Sequence, residues 1–208
     1  IERKGARTAL ITTRGFRDLV EIGQEDRFAQ YDVFLQKPQP LVPRDWRHGV
    51  AERVDAQGRV LTPLDEAEVR ALAARLLDDG IESVAVCLLH SYAHPAHERR
   101  IRELLRDVAP ALWISLSSDV CAEIREYPRL STVCANAYVQ PQVSGYLRRF
   151  QDAARERGLR AEPFLMTSGG AIATLKTGVE EPVRLVESGP AGGAILAQHI
   201  AEQVGAAR

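Results

Sequence analysis

Ile81-Glu82-Ser83-Val84-Ala85-Val86-Cys87-Leu88-Leu89 is a near-continuous apolar run. A run of this kind reads as a strand buried on both faces, as in a parallel sheet covered by helices. Upstream, Asp65-Glu66-Ala67-Glu68 has the form of a capping box. Val69, Leu72, Ala73 and Leu76 then make one apolar helix face, and Gly80 ends the helix. Downstream, Pro95 to Val108 reads as a helix with Ile101, Leu104 and Leu105 inward, and Trp113 to Leu116 as the next strand. Helix, strand, helix, strand is an α/β pattern. Its chemistry is expected at the carboxyl ends of the strands.

The flanks extend this pattern. Arg7 to Thr13 reads as a buried strand, and Phe16 to Ile22 as a short helix with Phe16, Leu19 and Val20 inward. Gln24 to Asp45 carries Pro38, Pro40 and Pro43 and reads as a long loop. Tyr31, Phe34 and Trp46 are expected to pack it down. Val50, Glu52 and Val54 alternate, and Val60 resumes after a turn at Asp55 to Gly58, so Val50 to Leu61 reads as a hairpin. Leu130 to Gly158 reads as helix interrupted near Pro141. Pro163 to Thr167 and Val183 to Val186 read as short strands. A helix follows, capped by Ser188 or Gly189, with Pro190 in its first turn.

The 208-residue chain is 45% hydrophobic and 26% charged, with net charge −1. That is ordinary for a globular protein and offers no electrostatic argument for nucleic acid or an anionic membrane. No apolar run approaches the ~20 residues of a membrane span. Cys87, Cys121 and Cys134 are odd in number and not closely spaced. They fit a reducing, cytoplasmic setting, with Cys87 a buried thiol.

Four groups of residues are candidates for chemistry. Ser168-Gly169-Gly170 follows a strand, and reads either as an anion-binding turn or as a plain tight turn. Arg125 and Arg129 lie in a dense polar run from Glu123. This is either a salt-bridged loop or a place where a guanidinium fork receives a carboxylate or phosphate. His90, His94 and His97 are close enough to raise a metal site. Pro95, however, separates His94 from the helix carrying His97, so no metal is expected. Ser188, Gly189, Gly192 and Gly193 open the last helix, where glycine is a poor helix former. Glycine there suits either a tight helix contact or the close approach of a ligand.

Glu187-Ser188-Gly189-Pro190-Ala191-Gly192-Gly193 resembles a motif of the hydantoinase A/5-oxoprolinase family. Thr12 to Asp18, Gly80 to Tyr92, Glu123 to Tyr127 and Asn136 to Pro141 resemble that family in the same order. The resemblance implies an α/β chain that is part of an actin-like ATPase, ribonuclease H-like fold with a small β-rich insert. It implies four parts: 1–23 as the end of a first subdomain, 24–62 as loop and hairpin insert, 63–186 as an α/β domain, and 187–208 as a connecting helix. Phosphate loops are implied before Ile1 and after Arg208, so the chain reads as an internal piece of a larger enzyme, inactive alone. The implied activity is ATP- and magnesium-dependent opening of a hydantoin or 5-oxoproline ring through a phosphorylated amide. An ATP-dependent acetone or acetophenone carboxylase subunit and a non-catalytic actin-like scaffold are the alternatives. A partner subunit of hydantoinase B type and a homo-oligomer are also implied, with neither nucleotide nor metal held firmly by this piece. Arg125, Arg129, Ser168, Gly169, Gly170, Ser188, Gly189, Gly192 and Gly193 are together the substrate- or phosphate-binding candidates.

Overall fold

The structure is a computed structural model that describes residues 2–24 and 29–205. The chain divides into two compact units, residues 1–141 and 142–208.

The first unit is built on β1 (Thr8–Thr13), which is buried along its whole length. It pairs in parallel with β2 (Arg47–Val50) on one side and with β5 (Ser83–Cys87) on the other. β5 pairs in parallel with β6 (Trp113–Leu116), giving the order β2-β1-β5-β6. The apolar run thus occupies a central strand, buried throughout, as its composition requires. α2 (Glu66–Asp78) presents Val69, Leu72, Ala73 and Leu76 to the sheet. α3 (Ala96–Val108) presents Ile101, Leu104 and Leu105. These side chains close over Ala9, Ile11, Val84 and Val86 in one core.

Asp65 caps α2 by accepting from the Glu68 amide at 2.9 Å. The box is only half closed. The Glu68 carboxylate accepts instead from the Ala51 amide at 2.8 Å and the Arg14 guanidinium at 2.6 Å, tying α2 to the loops beyond β1 and β2. The helix expected over Phe16 to Ile22 is confined to α1 (Leu19–Ile22).

Three expectations in this unit are corrected. Val50 ends a parallel strand and is not part of the hairpin. The hairpin is β3 (Arg53–Val54) against β4 (Val60–Thr62), and the alternation from Val50 to Val54 crosses a real break between strands. Tyr31 and Phe34 are not packed down: they are 93% and 87% exposed. Local bonds hold their turn, the Asp32 carboxylate accepting from the Phe34 amide at 2.9 Å. Trp46 does pack on the core. Residues 25–28 of that loop lie outside the described ones. Finally, the helix α5 (Glu126–Glu156) runs through Pro141 without interruption. Proline there removes one backbone bond, but the turns on either side keep theirs. α4 (Ser117–Val120) joins β6 to the loop before α5.

The four strands of the sheet come from both sides of the boundaries expected near residues 23 and 62. Asn136 and Gln140 of α5 explain part of the Asn136 to Pro141 motif. Asn136 Nδ2 donates to Ser115 Oγ at 3.0 Å, and Ser115 Oγ donates to Gln140 Oε1 at 2.9 Å, pinning the helix to β6.

The second unit holds the end of α5, the hairpin β7 (Phe164–Met166) and β8 (Ile172–Thr174), α6 (Leu175–Glu180) and α7 (Ser188–Gln203). The strand expected at Val183 to Val186 is a 3₁₀ turn over Pro182–Leu185, because Pro182 at its first position favours a helical start. α7 is capped by Glu187 at φ 64°, not by Ser188 or Gly189, which are already helical; Pro190 does lie in the first turn. Ile195, Leu196, Ile200 and Val204 are all substantially exposed.

Gly178 is the tight point of this unit. A Cβ there would lie 2.5 Å from Leu165 Cδ1 and 3.1 Å from Leu147 Cδ1. Gly178→Val is therefore expected to destabilise the unit by about 1–3 kcal/mol, the usual range for overpacking. Denaturant unfolding checks this, and a stability equal to the unsubstituted chain would show that the leucines yield freely.

Candidate functional site

Thr13, Glu52, Glu98, Ser117 and Arg129 are buried polar residues of the first unit that lie where β1, β2, β5 and β6 end. α3 begins with two neighbours that serve separate clusters. Glu98 is fully buried. Its Oε1 accepts from the Leu88 amide at 2.9 Å and from Ser117 Oγ at 2.6 Å, and its Oε2 accepts from the Ser118 amide at 2.9 Å. Arg129 is equally buried. Its Nε donates to Ser117 Oγ at 3.1 Å, one Nη to the Glu123 carbonyl at 3.1 Å and the other to the Leu88 carbonyl at 2.6 Å. Its guanidinium also lies over the Tyr92 ring, 5.4 Å from the centroid. Ser117 thus bridges a buried carboxylate and a buried guanidinium. Ser91, donating to the Leu88 carbonyl at 2.9 Å, lies beside Ser117 at 3.1 Å. The network locks the ends of β5 and β6 to the start of α5.

The second cluster is Thr13, Glu52 and His97. Thr13 Oγ1 accepts from the Leu89 amide at 3.1 Å and donates to Glu52 Oε1. Glu52 Oε2 lies 2.8 Å from His97 Nδ1. The Glu52 side chain is fully enclosed, while that of His97 is 15% exposed.

The sequence-derived candidates fall in several places. Arg129 turns its donors inward, where they organise the strand ends. Arg125 is exposed, at φ 82°, and so faces outward from the loop before α5. The three histidines do not converge. His97 goes to Glu52, His94 Nε2 lies 3.4 Å from the Ala56 carbonyl, and His90, at φ 57°, lies near the Tyr92 ring. Among the described residues no group of three or more His, Cys, Asp or Glu is placed to hold a metal ion.

Ser168-Gly169-Gly170 forms the tip of the β7–β8 hairpin. The Ser168 amide and hydroxyl both donate to the Arg184 carbonyl, at 2.8 and 2.7 Å, and the Gly170 amide donates to the Thr167 carbonyl at 3.0 Å. Two of the three N–H groups an anion would need are therefore spent. The hairpin does lie against α7. A Cβ on Gly170 would meet Ile195 Cδ1 at 3.0 Å, and one on Gly192 would meet Met166 Cγ at 3.7 Å. Around Gly189 and Gly193 nothing lies within 4 Å of the added atom. Among the described residues no packing contact requires those two glycines. Ser188 is N-terminal to both, at the first helical position.

The cysteines are free. Burial pushes the Cys87 thiol up to about 12 and raises that of Cys134 as well, so neither is a nucleophile in the folded chain. Burial, and secondarily Arg75, lowers the pKa of His48.

Glu52, Glu98, Thr13 and Ser117 were not among the sequence candidates, although two of them left a signal. Glu52 alternates with Val50 and Val54, placing a charge among apolar neighbours. Glu98 stands three residues before Ile101, on the apolar stripe of α3. A charge at such a position is buried and must be bonded.

Sheet order and site together define a parallel α/β module with its polar residues at the carboxyl ends of the strands. The chain belongs to the hydantoinase/oxoprolinase family: the N-terminal region of that family matches residues 1–109, and the hydantoinase/oxoprolinase region matches residues 129–208. It is 40% identical to an uncharacterized protein of Methanocaldococcus jannaschii, over 93% of this chain and 28% of that one. It is 33% identical to the acetophenone carboxylase gamma subunit of Aromatoleum aromaticum, over 99% of this chain and 30% of that one. The fold is similar to the crystal structure of the ATP-dependent caprolactamase of Pseudomonas jessenii, with TM-score 0.88 and 29% identity over 98% of this chain and 30% of that one. The chain thus spans under a third of the length of these relatives. Among the described residues no helix is long and apolar enough to cross a membrane.

Proposed function

We propose that this chain is part of an ATP-dependent enzyme that opens a cyclic amide of the hydantoin or 5-oxoproline type. The observation that carries the reading is family membership over both regions, joined to the close likeness to a lactamase named as ATP-dependent. ATP, when bound with magnesium, supplies the activation of the amide carbonyl. The residues of this chain that fit a phosphate are those of the first turn of α7. The helix carries no side-chain cap, and Gly189 and Gly193 leave its surface open. Arg125, an exposed cation in the loop before α5, is the residue proposed to receive an anionic substrate. The actin-like architecture belongs to the same reading, with α7 leading into a second phosphate loop. So does a companion subunit of hydantoinase B type, because the acetophenone relative is itself named as a subunit. Three free thiols fit a cytoplasmic enzyme.

The test is ATP turnover by the complete protein with its companion subunit. Hydantoin, 5-oxoproline and acetophenone with bicarbonate are added in turn. Stimulation by a cyclic amide, with ring-opened product, is the expected result. Stimulation by the ketone alone would transfer the reading to the carboxylases, which the likeness to the acetophenone subunit favours.

A further inference from the structure

We propose that Thr13, Glu52 and His97 form a proton-transfer site, with His97 Nε2 as general base toward a water bound at the carboxyl end of the sheet. Naming water as the donor rests on the amide-opening reading; the site itself rests on geometry. The sheet order is β2-β1-β5-β6, so the chain moves one way from β1 to β2 and then crosses back over β1 to reach β5. The order reverses between β1 and β5, and loops leaving a parallel sheet at such a point diverge and open a crevice. Thr13 ends β1 and Leu89 lies just past β5, and the two are bonded across that point at 3.1 Å.

The hydrogens can be assigned from the bonds. Thr13 Oγ1 accepts from the Leu89 amide, so its single hydrogen goes to Glu52 Oε1. The other oxygen of Glu52 faces His97 Nδ1 at 2.8 Å. A carboxylate only accepts, so Nδ1 carries the hydrogen. In the neutral ring Nε2 then carries the lone pair. Nε2 has no partner among the described residues and is not one of the buried polar atoms left without one. The His97 side chain is 15% exposed, which leaves the ring partly open to solvent. A histidine serving only to tie the loop after β2 to α3 needs no open second nitrogen.

The surrounding charges are already matched. Glu98 turns to the Leu88 amide and Ser117. Arg14 pairs with Glu68, Arg100 with Glu66 and Glu103, and His94 lies against the Ala56 carbonyl. Glu52 is thus the charge bonded to the imidazole. It fixes the ring's tautomer and stabilises the cation formed when Nε2 takes a proton. One O–H bond of the water breaks, an N–H bond forms at Nε2, and the electron pair stays on oxygen, which becomes the nucleophile. The proton leaves Nε2 to solvent afterwards.

His97→Asn in the complete protein tests this. The asparagine amide keeps a donor where Nδ1 stands but has nothing in place of Nε2. Expected is a melting temperature close to that of the unsubstituted protein with turnover lowered about 10²–10⁴-fold, the usual range for general acid–base catalysis. Turnover kept within about threefold would reduce His97 to a tether and overturn the proposal. If the variant fails to fold, diethyl pyrocarbonate on the unsubstituted protein decides the matter. Carbethoxylation of His97, located by mass spectrometry and matched by loss of activity, is expected; a His97 left unmodified overturns the site. For Glu52, aspartate is expected to restore more turnover than glutamine, and equal loss in both would remove its positioning role. Absence of amide-dependent turnover in the unsubstituted protein would overturn the amide reading alone. The same comparisons would then be read on whatever ATP-dependent turnover it shows.

Discussion

Glu98→Leu is expected to lower the unfolding free energy by about 3–5 kcal/mol, because it leaves several buried donors without their acceptor, at about 1–3 kcal/mol each. The leucine fits the apolar stripe of α3, so the cost is not one of shape. It comes from what Glu98 leaves behind. The Leu88 and Ser118 amides and the Ser117 hydroxyl lose their acceptor. The Arg129 guanidinium, fully enclosed, stays 3.9 Å from the Glu126 carboxylate but loses the Glu98 carboxylate that orients Ser117 toward it. Glu98→Gln should cost less, since its amide oxygen still accepts and only one of the two acceptor positions is lost. Joining Glu98→Leu to Arg129→Leu should cost less than the sum of the two, because both changes break the one network that runs through Ser117. Urea unfolding of the unsubstituted protein, the three single variants and the double variant measures all of this. A loss below about 1 kcal/mol for Glu98→Leu would show that water reaches the cluster and that the network is not what locks the strand ends.

Gly193→Val in the complete protein is expected to leave the melting temperature nearly unchanged while ATP-dependent turnover falls about 10²-fold. The stability half follows from this chain. Among the described residues nothing lies within 4 Å of a Cβ added at Gly193, and valine is no worse than glycine inside a helix. The activity half follows from the proposal that a phosphate approaches the first turns of α7, where a branched side chain would hold it off by an ångström or more. A displacement of that size costs on the order of 10² in rate. Calorimetry and turnover on one preparation separate the outcomes. If melting temperature and activity fall together, Gly193 packs against another part of the complete protein. If neither falls, the open face of α7 is not where the nucleotide lies.

The sequence by itself determined the central strand, because a run as apolar as Ile81 to Leu89 has one low-energy home, the middle of a covered sheet. The same holds for α2 and α3, whose apolar stripes and flanking signals are local properties of the chain. β6 was legible for the same reason. Family membership was legible in motifs spread from Thr12 to Gly193.

Tertiary structure decided what depends on partners distant in sequence. Val50, the last residue of β2, was read as part of a hairpin, because no local pattern distinguishes a short edge strand pairing with β1 from one pairing with its neighbour. The path of α5 through Pro141 was likewise not local, since a proline costs one bond and surrounding contacts decide whether the helix continues. Arg129 looked like a ligand-receiving cation because its sequence neighbours are charged. Leu88 and Ser117, which enclose it, lie far away along the chain. Glu52 and His97 are 45 residues apart, and only the crossing of the chain over β1 brings them together. The sequence supplied a carboxylate, a hydroxyl and an imidazole, but their pairing is a property of sheet order, which no single stretch encodes.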